Sequence, residues 1–196
     1  AYVNRTQECL DIECVRVRTF ENACETERLA FLTSVPELYI SARIENVKIK
    51  MPSLPENILF LGKSGRGKTY AAVAWTADRA GKDASMARWY EVPMLMARFR
   101  ASFRDGAEES ELDIIAELEK PHIVILDDLG AEKPSEWVSE TMFKIINKRY
   151  EEVLPTIITS NLELGEISER LGDRIPSRLT EMCDVIKLEG VDRRLK

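Results

Sequence analysis

The chain has 196 residues, 44% of them hydrophobic and 32% charged, which at roughly 100–200 residues per domain predicts one domain with a full core and excludes wholesale disorder. A formal charge of -6 excludes a protein that coats nucleic acid by bulk electrostatics, so any such contact needs a local basic patch. A single histidine, His122, excludes a histidine-rich metal centre.

No stretch approaches about 18 consecutive apolar residues, and the opening AYVNRTQECL does not read as a secretory leader, so the expectation is a cytoplasmic protein with no membrane span. Residues 1–35 read as an N-terminal extension, a possible partner-binding segment that carries Cys9, Cys14 and Cys24. Four and nine residues separate these cysteines, and no tight Cys-x-x-Cys pair occurs, so thiols are favoured over a zinc site. Cys183 is the fourth cysteine. Pro36, Pro52 and Pro55 punctuate the approach to the main domain, residues 36–196.

The apolar run 57–61 (NILFL) reads as a strand, and 68–80 as an alanine-rich helix stopped by Gly81. A second strand is expected over 84–90, then helices over 92–103 and 108–118, broken at Asp105 and Gly106. Residues 123–126 (IVIL), closed by Asp127 and Asp128, have the pattern of a strand buried on both faces. Val138, Met142, Ile145 and Ile146 fall at helical spacing and predict an amphipathic helix from about Ser135 to Glu151. A strand over 156–159, short helices over 164–171 and 175–182, and a last strand over 185–188 complete the series. Strands alternating with helices predict an α/β fold with a parallel five-stranded sheet flanked by helices.

Gly62, Lys63, Ser64, Gly65, Arg66, Gly67, Lys68 and Thr69 match GxxxxGK[ST] between a strand and a helix, the context that a phosphate-binding loop requires. Glycines let successive backbone N–H groups converge on an anion, and the helix N-terminus adds partial positive charge. Lys68 then reaches the β- and γ-phosphates of ATP, and the Thr69 hydroxyl ligates Mg²⁺. HIVILDDLG, residues 122–130, places Asp127 at the carboxyl end of a buried strand, where it holds the magnesium through its water shell. Asp128 is the candidate base toward the attacking water; the competing reading makes it a metal-site or turn residue. His122 is assigned no role.

TIITSNL (156–162) and LGDRIPSRL (171–179) follow these two motifs in order, and the chain resembles an AAA+ ATPase of the DnaC/IstB-like helicase-loader family. The resemblance runs over residues 36–194, including PELYISARIENV, LDDLGAEKPSEW and EGVDRR. It implies a P-loop NTPase of AAA+ type in which Asn161 is sensor 1 and places the attacking water. It further implies an arginine reaching a neighbouring subunit's γ-phosphate: Arg178 by motif position, with Arg174 as the alternative. The cysteine spacing departs from the tighter zinc pattern of some loaders, and no separate C-terminal helical lid is expected. Arg193 and Arg194 read as a solvated C-terminus rather than as lid arginines.

Residues 94–104 carry Arg98, Arg100 and Arg104 with Phe99 and Phe103 and no acid, whereas 105–119 carry seven acids and no base. The resemblance implies that this region faces a channel and touches single-stranded DNA; the alternative is a basic helix face paired with the acidic helix beside it. Met94, Leu95, Phe99 and Phe103 read as core. The function implied is an ATP-dependent homo-oligomeric loader that delivers a replicative helicase onto single-stranded DNA. The alternatives are the ATPase subunit of a transposition system, partnered by a transposase, a P-loop small-molecule kinase, and an adaptor that binds ATP without hydrolysing it.

Overall fold

The computed structural model describes residues 12–49, 57–83, 85–190 and 192. Helix α1 (Ile12–Ser34) and two 3-10 turns (Glu37–Tyr39 and Ile44–Asn46) precede strand β1 (Asn57–Leu61). There follow α2 (Lys68–Asp83), β2 (Ala87–Glu91), α3 (Val92–Ala101), α4 (Glu111–Glu119), β3 (Ile123–Asp127), α5 (Glu136–Glu151), β4 (Thr156–Ser160), α6 (Leu164–Leu171), α7 (Arg174–Met182) and β5 (Cys183–Lys187). The sheet order is β2-β3-β4-β1-β5, and every pairing is parallel.

Central strands β3 and β4 are buried at every position, as their continuous apolar runs require, while edge strand β5 is half open to solvent. Alternation along β1 sends Ile58 and Phe60 to one face and Leu59 and Leu61 to the other. The first face packs on α2 with Ile123, Ile125 and Ile157; the second packs on α3, α5, α6 and α7 through Phe99, Ile146, Ile167 and Leu179.

Helix α1 was not foreseen in the sequence, and the boundary expected at residue 35 falls inside continuous packing. Phe31, Leu32 and Val35 share the α2 core, with Phe31 fully buried. Alanines at 71, 74 and 77 keep α2 slender, so α1 lies close along it. Gly81 does not stop α2 as expected. The helix runs on to Asp83, and the missing side chain at Gly81 makes room for α1: a Cβ there would lie 2.9 Å from Arg28 Cδ. Cys24 on α1 is a buried free thiol; Cys9, the Cys14 side chain, Arg193 and Arg194 lie outside what the structure describes.

Other boundaries move for local reasons. Ser110 and Asp113 form a capping box that starts α4 at residue 111 instead of 108, and Ser135 Oγ accepts from the Val138 amide to start α5. Inside the domain, the Arg149 guanidinium is 1% exposed. It donates to Thr156 Oγ1 and to the carbonyls of Leu118, Pro121, His122 and Pro155, tying α5 to the starts of β3 and β4. With no acid among these partners, burial pushes its pKa down to about 10. No helix among the described residues is long and apolar enough to cross a membrane.

Candidate nucleotide site

Parallel strands end together, so β1, β3 and β4 present their carboxyl termini along one edge of the sheet, and the residues of the predicted site meet there. Leaving β1, the chain turns through Gly62, Gly65 and Gly67, all at positive φ. Gly65 tolerates nothing larger: at φ +77 a Cβ would sit 2.0 Å from Asp192 Oδ1 of the segment that follows β5.

Lys68 opens α2 and is 5% exposed. Its ammonium donates to Gly62 O at 2.7 Å, Lys63 O at 3.2 Å and Asn161 Oδ1 at 2.6 Å, joining the loop to the end of β4. Beside it, Thr69 Oγ1 donates to Asp127 Oδ1 at 2.9 Å. Asp127 also accepts from Thr159 Oγ1 at 2.6 Å, a partner on β4 that no motif marked. Burial is the main influence on the Asp127 carboxyl and pushes its pKa upward, while the two threonine bonds pull it down.

Asp128 takes φ 62, an uncommon backbone for a residue other than glycine. Its amide donates to Thr159 Oγ1 at 3.0 Å, and its carboxylate accepts from Asn161 Nδ2 at 2.7 Å. Asn161 thus touches both Lys68 and Asp128. The turn beyond is fixed at Gly130, whose amide donates to the buried Glu132 and whose carbonyl accepts from Arg170 of α6.

Lys68, Thr69, Asp127, Asp128 and Asn161 line a cavity of about 800 Å³, together with Tyr39, Tyr70, Trp89 and Glu91. Their chemistry fits a magnesium nucleotide. A hydroxyl and a carboxylate in contact, Thr69 and Asp127, are hard oxygen donors of the kind Mg²⁺ takes alongside substrate phosphates and water. Arg66 Nη1 is buried in the loop with no partner among the described residues, a donor available to an anion.

The arginines expected at DNA divide. Arg98 pairs with Glu109 and Glu117 of the acidic segment, the paired alternative that the charge segregation allowed, with Tyr90 Oη donating to Glu117 at 3.0 Å. Arg100 and Arg104 are exposed, and Arg100 lies 5.3 Å above the Trp137 ring, which Phe103 meets edge-on at 5.8 Å. Leu95 and Phe99 are core as expected, but Met94 is exposed on the outer side of α3 and Phe103 is exposed in the turn beyond its end at Ala101.

Arg178 and Arg174 do not line the cavity of their own subunit. The Arg178 guanidinium stacks 4.1 Å from the Tyr150 ring centre and pairs with Glu181 at 2.5 Å; Arg174 stacks 3.9 Å from the Phe143 ring centre.

Comparison with known proteins accords with this geometry. The model of the IstB-like ATP binding protein family matches residues 48–196. The ATP-binding protein of insertion sequence IS5376 from Geobacillus stearothermophilus is 32% identical over 151 residues, which is 72% of this chain and 56% of that protein. The replicative helicase loader DnaC of Escherichia coli strain K12 is 24% identical over 123 residues, 63% of this chain and 49% of that one. The chain therefore spans about half the length of these curated relatives. Among solved structures, the DnaC helicase loader superposes with a TM-score of 0.66 at 25% identity, covering 79% of this chain and all of that one. DnaI superposes equally well at 23% identity, a likeness of fold. With a matched family model over most of its length and an AAA+ P-loop fold, the chain belongs to the IstB-like ATP-binding protein family.

Proposed function

We propose that the chain binds ATP with Mg²⁺ in the Lys68 cavity, hydrolyses it as part of a homo-oligomer, and uses the cycle to deliver a replicative helicase onto single-stranded DNA. The observation that carries the reading is the contact of Lys68 and Asp128 with one side chain, Asn161, beside the Thr69 and Asp127 pair. On ATP binding, Lys68 exchanges its carbonyl partners for β- and γ-phosphate oxygens. Thr69 and Asp127 would hold the Mg²⁺, and the ion would supply positive charge at the phosphates. Asp128 and Asn161 orient and polarise the attacking water, and Arg178 enters from a neighbouring subunit. Arg100 and Arg104 contact the DNA backbone, with Phe103 and Trp137 as stacking surfaces.

A second reading, the ATPase subunit of a transposition system, is favoured by the higher identity to the IS5376 protein than to DnaC. Affinity capture from the native host under ATP separates the two. Nucleotide-dependent retention of a hexameric helicase supports loading, and retention of a transposase supports the second reading. Phosphate transfer to a small molecule, with neither protein retained, overturns both.

A further inference from the structure

We infer that Glu132 is a positioning residue for the hydrolytic step, holding through the Gly130 amide the turn that aims Asp128, an assignment that rests on the ATPase reading above. Asp128 O accepts from the Ala131 amide at 3.1 Å, which closes a β-turn over 128–131. Gly130 is third in that turn, at φ 86, the position where a positive φ calls for glycine. A Cβ there would also lie 2.5 Å from Leu162 Cδ1. Asp128 itself enters the turn at φ 62, and a non-glycine backbone of that kind costs about 1–3 kcal/mol and persists only where its surroundings fix it.

Strand β4 fixes the near side of the turn. The Asp128 amide donates to Thr159 Oγ1 at 3.0 Å, the Leu129 amide to Thr159 O at 2.8 Å, and Ser160 Oγ to Leu129 O at 2.6 Å. Two side chains fix the far side. Glu132 Oε2 accepts from the Gly130 amide at 3.0 Å, and Arg170 Nη1, from α6 and 40 residues further along, donates to the Gly130 carbonyl at 2.9 Å.

Glu132 is 5% exposed and does not line the nucleotide cavity. A buried carboxylate is costly, and what it accomplishes here is a charge-assisted bond to a backbone N–H, roughly twice as strong as a neutral one. The charges of Arg170 and Arg100 favour its ionised form. Without Glu132 the Gly130 amide becomes a buried donor with no acceptor. That N–H belongs to the peptide group joining Leu129 to Gly130, so its search for another acceptor shifts Leu129 and Asp128, and the Asp128 carboxylate leaves its place on Asn161. The bonds of Lys68, Thr69 and Asp127 do not pass through this turn, so nucleotide binding is spared.

In the full chain with Mg²⁺ and single-stranded DNA, Glu132→Ala should lower kcat by about 10- to 100-fold, the effect of displacing a group beside the chemistry, while the ATP dissociation constant changes less than about twofold. Glu132→Gln, whose side-chain oxygen accepts from the same N–H, should recover most of the rate. The Asp128→Asn background separates positioning from general loosening: there Glu132→Ala should change kcat less than about threefold, because the group it aims is already disabled. A full-sized loss in that background, Glu132→Gln as slow as Glu132→Ala, or a Glu132→Ala rate within about threefold of wild type overturns the assignment and leaves the ATPase reading intact. A wild type that binds ATP and never turns over overturns the ATPase reading and the assignment with it. If Glu132→Ala does not fold, Arg170→Met, which frees the Gly130 carbonyl, decides by the same comparison with and without Asp128→Asn.

Discussion

Lys68 and Asn161 lie 93 residues apart in the chain and 2.6 Å apart in space. That bond spends the charge of a buried ammonium on neutral oxygens, an arrangement that phosphate oxygens improve. Lys68→Ala should therefore weaken ATP binding by about 10- to 100-fold, the worth of a charge-assisted hydrogen bond, as titration calorimetry would register. The arginines of the α3 region should separate in the same way. Arg98→Ala should lower stability by about 1–2 kcal/mol, discounted because the side chain is 34% exposed, and leave DNA binding unchanged. Arg100→Ala or Arg104→Ala should leave the melting temperature in place and reduce the salt slope of single-stranded DNA binding by about one for each phosphate left without its arginine. An Arg98 variant that flattens the salt slope would return that residue to the DNA interface.

Among the elements, α5 is held by the buried Arg149 as much as by its apolar stripe. Its guanidinium satisfies four carbonyls and a hydroxyl at the end of α4 and the starts of β3 and β4, so a methionine in its place abandons the acceptors. Arg149→Met should cost about 3–5 kcal/mol, read as a lower urea midpoint at constant m value. Because β3 and β4 carry Asp127 and Asn161 at their far ends, the same variant should also weaken ATP binding. A change in the m value would mean instead that the native state had loosened. The packing of α1 on α2 belongs to this scale as well: a slender alanine face and Gly81 at the crossing admit a helix whose own pattern is too weak to announce it.

For the whole molecule, the decisive arginine stands outside the cavity it is proposed to serve. Arg178 rests on Tyr150 and Glu181, and the proposed mechanism has a second copy bring it to the γ-phosphate, with that ion pair exchanged at the interface. Mixing Arg178→Ala with Asp128→Asn tests this, since each is slow alone and a mixed interface joins one intact Asp128 to one intact Arg178. Turnover should reappear in the mixture and rise with total protein, toward the roughly 10³–10⁵ in rate that such a finger contributes. Recovery only with Arg174→Ala in place of Arg178→Ala assigns the finger to Arg174, and recovery with neither removes the shared site.

What was legible in the sequence was whatever local chemistry encodes. The short β-favouring runs at 57–61, 123–126 and 156–159 read as buried strands, and a glycine-rich turn before a lysine and a threonine at a helix start specifies an anion cradle. From these followed the parallel sheet, the nucleotide loop and the acids at the strand end. Tertiary structure alone decided which side chains share a face or a charge. The register of β2 on β3 puts Glu91 beside Asp127, and that of β3 on β4 puts Thr159 under Asp127. The fold of α3 onto the acidic segment assigns Arg98 to Glu109 and Glu117 while leaving Phe103 exposed. The reason is the range of the interactions: backbone conformation and hydrophobic period are set within a few residues, whereas strand register and ion pairing depend on segments tens of residues away that no local pattern records.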